Sequence, residues 1–214
     1  DMGTQNLRFG SSRDLITVER IRMNEQQKID SKKGIEERRR MGQFATPIDL
    51  ADEIVAYGLS ILSDNDISFL EPAVGTGAFI SAVLRNHKDK SVRNCIGYEI
   101  DKQYFDVASS LWLDHGLEAK NLDYTSQDPN GHQVNLLISN PPYVRHHYIT
   151  AEDKTRLSTL VRNEVGINIS GLAGLYCYFM LLSHKWLAPG AISGWLIPSE
   201  FMDVNYGESI KEYL

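Results

Sequence analysis

EPAVGTGAF, residues 71–79, follows a short apolar run, ISFLEP (67–72), and leads into AFISAVLRNH (78–87), whose apolar residues recur at helical spacing. Gly75 and Gly77 allow a tight turn and close approach of a ligand to the backbone. Strand, glycine turn and helix in that order form the opening unit of an α/β sheet. Ile80 occupies the third position of a GxGxxG pattern, so a dinucleotide fingerprint is not present. Taken alone, GxG marks an ordinary strand–helix turn.

The same alternation continues outward. NCIGYEI (94–100) reads as a second strand, with a second helix over 101–115. EAKNLDY (118–124) closes a weaker third strand, and VNLLISN (134–140) is a fourth. GLYCYFMLLSHKWL (174–187) reads as a long helix stopped by Pro189-Gly190, and AISGWLIP (191–198) as a fifth strand. Upstream, TPIDLADEIVAYGLSIL (46–62) carries a helix start: Thr46 as cap, Pro47 at the first position, Asp49 in the first turn. The pattern predicts an α/β fold, a doubly wound and mostly parallel sheet over residues 41–214. Residues 1–40 read as a helical or partly flexible extension, from the weak periodicity of RDLITVERIRMNEQQKI (13–29).

Composition sets bounds. The 214 residues suffice for one domain with a full core. Residues 1–40 hold ten Lys/Arg against seven Asp/Glu, leaving 12 against 21 for the rest, so a large basic face is not evident. The basic cluster KKGIEERRR (32–40) reads first as a solvated helix face, and second as the source of any residual nucleic-acid affinity. Cys95 and Cys177 form no CxxC and read as reduced core residues; no His/Cys group has zinc spacing, so no metal is expected. No apolar stretch is long enough for a membrane span, and no secretory signal is seen, which predicts a cytoplasmic protein. The chain opens with Asp1 rather than Met and is read as a piece of a longer one.

Parallel sheets of this kind bind ligands beyond the carboxyl ends of their strands. Three strand ends carry candidates there. The glycine turn follows the first strand, Glu99 ends the second, and Asp123 ends the third. Glu99 suits a ribose diol, and Asp123 an exocyclic adenine amine. Each acid alone reads as a surface or capping residue; together with the glycine turn they imply an adenosine derivative without a pyrophosphate. At the fourth strand end LLISNPPYVRHHY (136–148) stops an apolar run at Asn140, followed by Pro141, Pro142 and Tyr143.

The chain resembles an adenine-N6 DNA methyltransferase of the gamma class, as found in bacterial restriction–modification systems. GQFATP (42–47) resembles the family's N-terminal motif and EPAVGTGAF its cofactor motif. GYEID (97–101) resembles its ribose-binding acid, LDY (122–124) its adenine-contacting motif, and NPPY (140–143) its catalytic motif. The order also matches. The resemblance implies a Rossmann-like fold with S-adenosylmethionine (SAM) as cofactor. Phe44, Ala45 and Thr46 would border the methionine moiety. Glu71 would face its ammonium, and Gly75 and Gly77 would give it backbone contact, with Ala73 in the same loop. Glu99 would hold the ribose, Ile100 pack on the adenine and Asp123 bind its amine. It further implies double-stranded DNA as substrate, with the target adenine flipped out, and a cognate or fused restriction nuclease as partner. The family's later aromatic residue and its target-recognition domain have no counterpart here, so residues 41–214 are expected to be an incomplete catalytic domain.

An adenine N6 amine is a poor nucleophile because its lone pair is delocalised into the ring. Acceptors aimed at its two protons, the Asn140 side-chain oxygen and the Pro141 carbonyl, would let the nitrogen become tetrahedral. Proline fixes φ and brings no competing N–H, so the turn is a rigid acceptor platform. Tyr143 would offer a ring face for the flipped base. His146 and His147 read as polar loop residues at the mouth, with no catalytic base required. The alternatives are a glutamine (protein) or RNA methyltransferase with the same NPPY chemistry, and a non-catalytic SAM-binding subunit. GQFATP and the Glu-Pro-Ala preceding the glycines argue against the first; the presence of Asn140 and Glu99 argues against the second.

Overall fold

A computed structural model describes residues 12–202 and 208–214. The rest of the N-terminal extension and residues 203–207 lie outside the described residues. Five strands form one sheet: β1 (Asp66–Glu71), β2 (Ser91–Tyr98), β3 (Leu117–Lys120), β4 (Val134–Ser139) and β5 (Leu187–Trp195). Their order is β3-β2-β1-β4-β5, and every pairing is parallel. The chain runs outward from β1 through β2 to β3, then returns to place β4 against the other side of β1. That reversal is the switch point of a doubly wound sheet, and the crevice it opens lies at the carboxyl ends of β1 and β4.

Alternate side chains of the central strands enter two different cores. Ile67, Phe69, Leu136 and Ile138 join one with α3 (Ile48–Ile61), α4 (Ala78–Asn86) and α5 (Lys102–Trp112); Leu70, Leu137 and Tyr98 join another with Tyr124, Phe179 and Trp186. Both faces are thus covered, which explains why these strands are apolar throughout rather than alternating. Cys95 and Cys177 are buried free thiols. No described helix is long and apolar enough to cross a membrane.

The N-terminal segment is a 22-residue helix, α1 (Ser12–Lys33), packed on α4 and α5, and a short α2 (Ile35–Arg40) follows. Leu15 and Ile29 are buried under it, and so are the charged Glu19 and Arg22. The basic cluster is largely committed internally: Lys33 pairs with Asp101, Arg38 with Asp30 and Arg39 with Glu36.

Two local expectations are corrected. The apolar segment after residue 174 is helical only as α7 (Leu175–Leu182) and a short 3-10 turn to Trp186, and Pro189-Gly190 lies inside β5 instead of stopping a helix. β5 is an edge strand, and its register against β4 shifts between Val134 and Leu136, where a residue without N–H and a glycine at φ 78° fit. Secondly, a helix absent from the sequence reading, α6 (Ala151–Val165), packs on α7. Its signals are local: Thr150 caps it by accepting from the Asp153 N–H, and Gly166 ends it at φ 73°. A final short helix, α8, spans Glu208–Tyr213.

Candidate functional site

A cleft of about 320 Å³ opens at the carboxyl ends of the strands. Phe44, Ala45, Thr46, Glu71, Ala73, Gly75, Glu99, Ile100, Asp123, Asn140 and Pro142 all line it. The strand-end residues picked from the sequence therefore converge on one cavity.

Glu71 ends β1 and is buried, 1% exposed. Its Oε2 accepts from the Ile80 N–H at 3.2 Å, in the first turn of α4, where a carboxylate suits the helix dipole. Burial pushes its carboxyl well above the ordinary range, opposed by that hydrogen bond and by the charge of Arg22. Glu99 follows β2. Its two oxygens accept separately from the Gly75 N–H at 2.9 Å and the Asp101 N–H at 2.8 Å, so it ties the glycine turn to the start of α5. Burial raises its carboxyl to about 7, with those two N–H groups opposing. An ionised carboxylate has about four acceptor positions, so two remain for a ligand.

Gly75 faces the cleft, whereas Gly77 does not. At φ 100°, a Cβ on Gly77 would lie 2.3 Å from Nε1 of buried Trp112, which donates to the Thr76 carbonyl. Gly77 is a packing glycine and is not among the residues lining the cleft. Asp123 is partly consumed locally: Oδ1 accepts from the Thr125 N–H and hydroxyl at 2.9 and 2.8 Å, and Arg156 lies 3.6 Å from Oδ2.

Asn140 follows β4. Its Nδ2 donates to the Phe44 carbonyl at 3.0 Å and to Thr46 Oγ1 at 3.1 Å. A carbonyl only accepts, so the amide is fixed with its nitrogen toward the GQFATP segment and Oδ1 left for the cleft. Thr46 does not take the capping role expected of it: α3 starts with no side-chain cap, and Pro47 stands at its N-cap. The two segments also meet backbone to backbone. The Tyr143 N–H donates to the Gly42 carbonyl at 3.1 Å, and a Cβ on Gly42 would lie 2.3 Å from the Tyr143 nitrogen.

Pro141 is buried, and neither it nor Tyr143 lines the cleft. The Tyr143 hydroxyl donates to the Leu196 carbonyl at 2.6 Å. Its ring stacks with Phe44, centroids 5.5 Å apart at 30°, and meets Tyr176 edge-on. One face of the tyrosine therefore already has an aromatic partner. His146 and His147 form a 3-10 turn beyond it. Among the described residues no His/Cys/Asp/Glu group has the arrangement of a metal site.

The cleft has walls that the sequence reading missed. Arg22 and Gln26 of α1 reach it, and both bond Thr76. Leu122, Tyr148, Asp153 and Arg156 also line it. The signal for the first pair was a stripe at helical spacing on α1: Arg22, Gln26, Asp30 and Lys33. Those residues bond Thr76, Thr76, Tyr104 and Asp101 respectively. Burial raises the Asp101 carboxyl, but Lys33, Gln43 and the Gln103 N–H outweigh it and hold it below its usual value.

Among known proteins, the family described as Eco57I restriction-modification methylase matches residues 84–214. The type II methyltransferase M.AccI of Acinetobacter calcoaceticus is 29% identical over 203 residues, covering 92% of this chain and 35% of that protein. The type II methyltransferase M.XamI of Xanthomonas campestris pv. amaranthicola is 29% identical over 82% of this chain and 33% of its own length. The chain thus spans about a third of the length of these curated relatives. A putative class I S-adenosylmethionine-dependent methyltransferase from Listeria monocytogenes has the same fold, with a TM-score of 0.70 at 19% identity over 97% of this chain and 60% of that one. The type IIG restriction endonuclease BpuSI shares it at a TM-score of 0.66 and 18% identity, over 80% of this chain and 22% of its own.

Proposed function

The chain belongs to the Eco57I restriction-modification methylase family, and on that premise we propose that it transfers a methyl group from S-adenosylmethionine to the exocyclic N6 amine of an adenine flipped out of double-stranded DNA. Residues 41–214 form the catalytic domain in this reading, with α1 laid across it. A cognate restriction endonuclease, fused or separate, is the partner implied, and the cytoplasm is the compartment.

The donor set fits the cofactor. Glu99 has two open acceptor positions for a ribose diol. Ile100 and Leu122 are exposed apolar side chains that line the cleft and could pack on a purine. Glu71 also lines the cleft, whose volume lies in the range of small-molecule sites. SAM supplies an electrophilic methyl on a sulfonium.

The remaining work falls to the protein. The observation that carries the reading is the fixed Asn140 amide. Its nitrogen is satisfied by Phe44 and Thr46, so its oxygen faces the cleft as an acceptor for one proton of an incoming amine. The Pro141 carbonyl accepts the other in this reading. Positioned acceptors of this kind lower barriers by several kcal/mol, about 3 for one preorganised group. The amine reacts neutral and loses its proton to water afterwards. A base stacking on Tyr143 requires Phe44 to leave the ring face it now covers, or requires Phe44 to become the second platform.

The test is labelled-methyl transfer by the full-length protein to duplex DNA, followed by digestion to nucleosides. Label in N6-methyladenine is the expected result. Label on cytosine N4 would revise the acceptor, since that amine is chemically similar. Label on cytosine carbon 5, or on RNA or protein but not DNA, would end the reading.

A further inference from the structure

We propose that Arg22 of α1 is a cofactor-site residue that binds the carboxylate at the methionine end of the ligand. The inference rests on the SAM reading above and extends it to a helix outside the motifs that suggested that reading.

Arg22 is 4% exposed yet lines the cleft. Glu19, one turn earlier, holds it side-on, with Nε donating to Oε2 at 2.8 Å and Nη2 to Oε1 at 2.6 Å. Nη1 donates to Thr76 Oγ1 at 3.0 Å. A guanidinium has five N–H groups, and these bonds use three. Each terminal nitrogen therefore keeps one N–H with no acceptor among the described residues. Those two N–H groups, on a delocalised cation, are suited to donate to a carboxylate.

A purely structural ion pair explains less. Burying two charges is costly, and a well-packed apolar pair at the same place is commonly as stable or more so. Holding Thr76 requires no charge either, because Gln26 Oε1 already accepts from its hydroxyl at 2.7 Å. Gln26 is itself spent on Thr76 and Asp30, so it offers the ligand little. Arg22 is thus a buried cation of α1 that is held by Glu19 and lines the cleft.

Position supports the same assignment. Thr76 lies between the two glycines of the turn, and the charge of Arg22 reaches Glu71. The adenosine end of the cleft is set by Glu99, Ile100 and Asp123 around the next strand ends. A zwitterionic amino-acid group would then be bracketed: ammonium toward Glu71, carboxylate toward Arg22. Because Glu19 fixes the guanidinium before ligand arrives, little side-chain freedom is lost on binding.

The experiment compares S-adenosylhomocysteine with 5′-methylthioadenosine, which lacks the amino-acid group, by calorimetry on wild-type protein and on Arg22→Gln. The substitution should weaken S-adenosylhomocysteine on the order of 10- to 100-fold, as expected for a lost charged hydrogen-bond pair, and leave methylthioadenosine within about twofold. Arg22→Lys should recover part of the loss, since charge returns without the guanidinium. If both ligands weaken equally, Arg22 only packs the helix and the proposal is overturned; if neither weakens, it is overturned as well. An arm on wild-type protein is independent of folding of the variant: an S-adenosylhomocysteine analogue lacking only its carboxylate should also bind on the order of 10-fold weaker or worse, and equal binding would refute the proposal. Wild-type protein that binds none of these ligands would sink the SAM reading itself, which separates that failure from this one.

Discussion

The Asn140 side chain donates to Thr46 Oγ1 at 3.1 Å, across a separation of 94 residues. One hydroxyl thereby helps to orient the acceptor at the end of β4.

Thr46→Val should remove that acceptor while keeping the shape. The Asn140 amide would then be held only by the Phe44 carbonyl. Methyl transfer should fall by about tenfold through kcat, because loosened positioning acts in the chemical step. Thr46→Ser should stay close to wild type. Equal kcat in the valine variant would show that the contact does not matter to the reaction.

Asn140→Ala should nearly abolish transfer. Cofactor affinity should change little, since the amide oxygen addresses the acceptor amine. Single-turnover assays beside calorimetry separate the two quantities. A fully active Asn140→Ala enzyme would remove the basis of the mechanism.

Cofactor binding should strengthen as pH rises through about 7. Burial raises Glu99 to about that value in the free protein, and ribose hydroxyls donate best to the ionised form. Affinity should thus be lost as pH falls below 7, and Glu99→Gln should flatten the profile. Stability of the free protein runs the opposite way. The folded state keeps the Glu99 proton that the unfolded chain releases near its usual value, so this contribution is present at acid pH and lost as pH rises through 7. A wild-type binding profile that is flat between pH 6 and 8 would contradict the assignment.

Gly77→Ala should destabilise the fold by about 2 kcal/mol or more, because a Cβ there combines positive φ with overlap on buried Trp112. Gly75→Ala has positive φ but open space around it, so its stability cost should be about 1 kcal/mol. Its effect should appear instead in cofactor affinity. Thermal melts and calorimetry on both variants check the contrast; equal melting temperatures would contradict it.

Tyr143→Phe leaves the Leu196 carbonyl without its 2.6 Å donor. It should cost about 1 kcal/mol in stability with only a mild loss of rate. Tyr143→Ala should be severe in both, because it also removes the partner of Phe44 and Tyr176. A phenylalanine variant with strongly reduced turnover and unchanged melting would show that the hydroxyl acts in catalysis.

The sequence by itself determined the order of strands and helices and the strand ends at which Glu71, Glu99, Asp123 and Asn140 sit. Those features are local: an apolar run, a glycine turn and a helical period are readable within ten or so residues. A parallel sheet then gathers successive strand ends on one edge, so the cleft followed from the alternation. The local signals were not all used, since Thr150 and Gly166 frame α6 as plainly as any helix in the chain. Tertiary structure alone decided the rest, because those features depend on partners far along the chain. Gly77 is glycine because Trp112 lies against it, and Gly42 because Tyr143 does. Thr46 caps nothing because Pro47 stands at the N-cap of α3, and its oxygen instead accepts from Asn140. Pro189-Gly190 sits in a strand because that strand is an edge with a register shift. Arg22 becomes part of the cleft because α1 lies over Thr76: its helical spacing with Gln26, Asp30 and Lys33 marks a shared face, but not what that face meets.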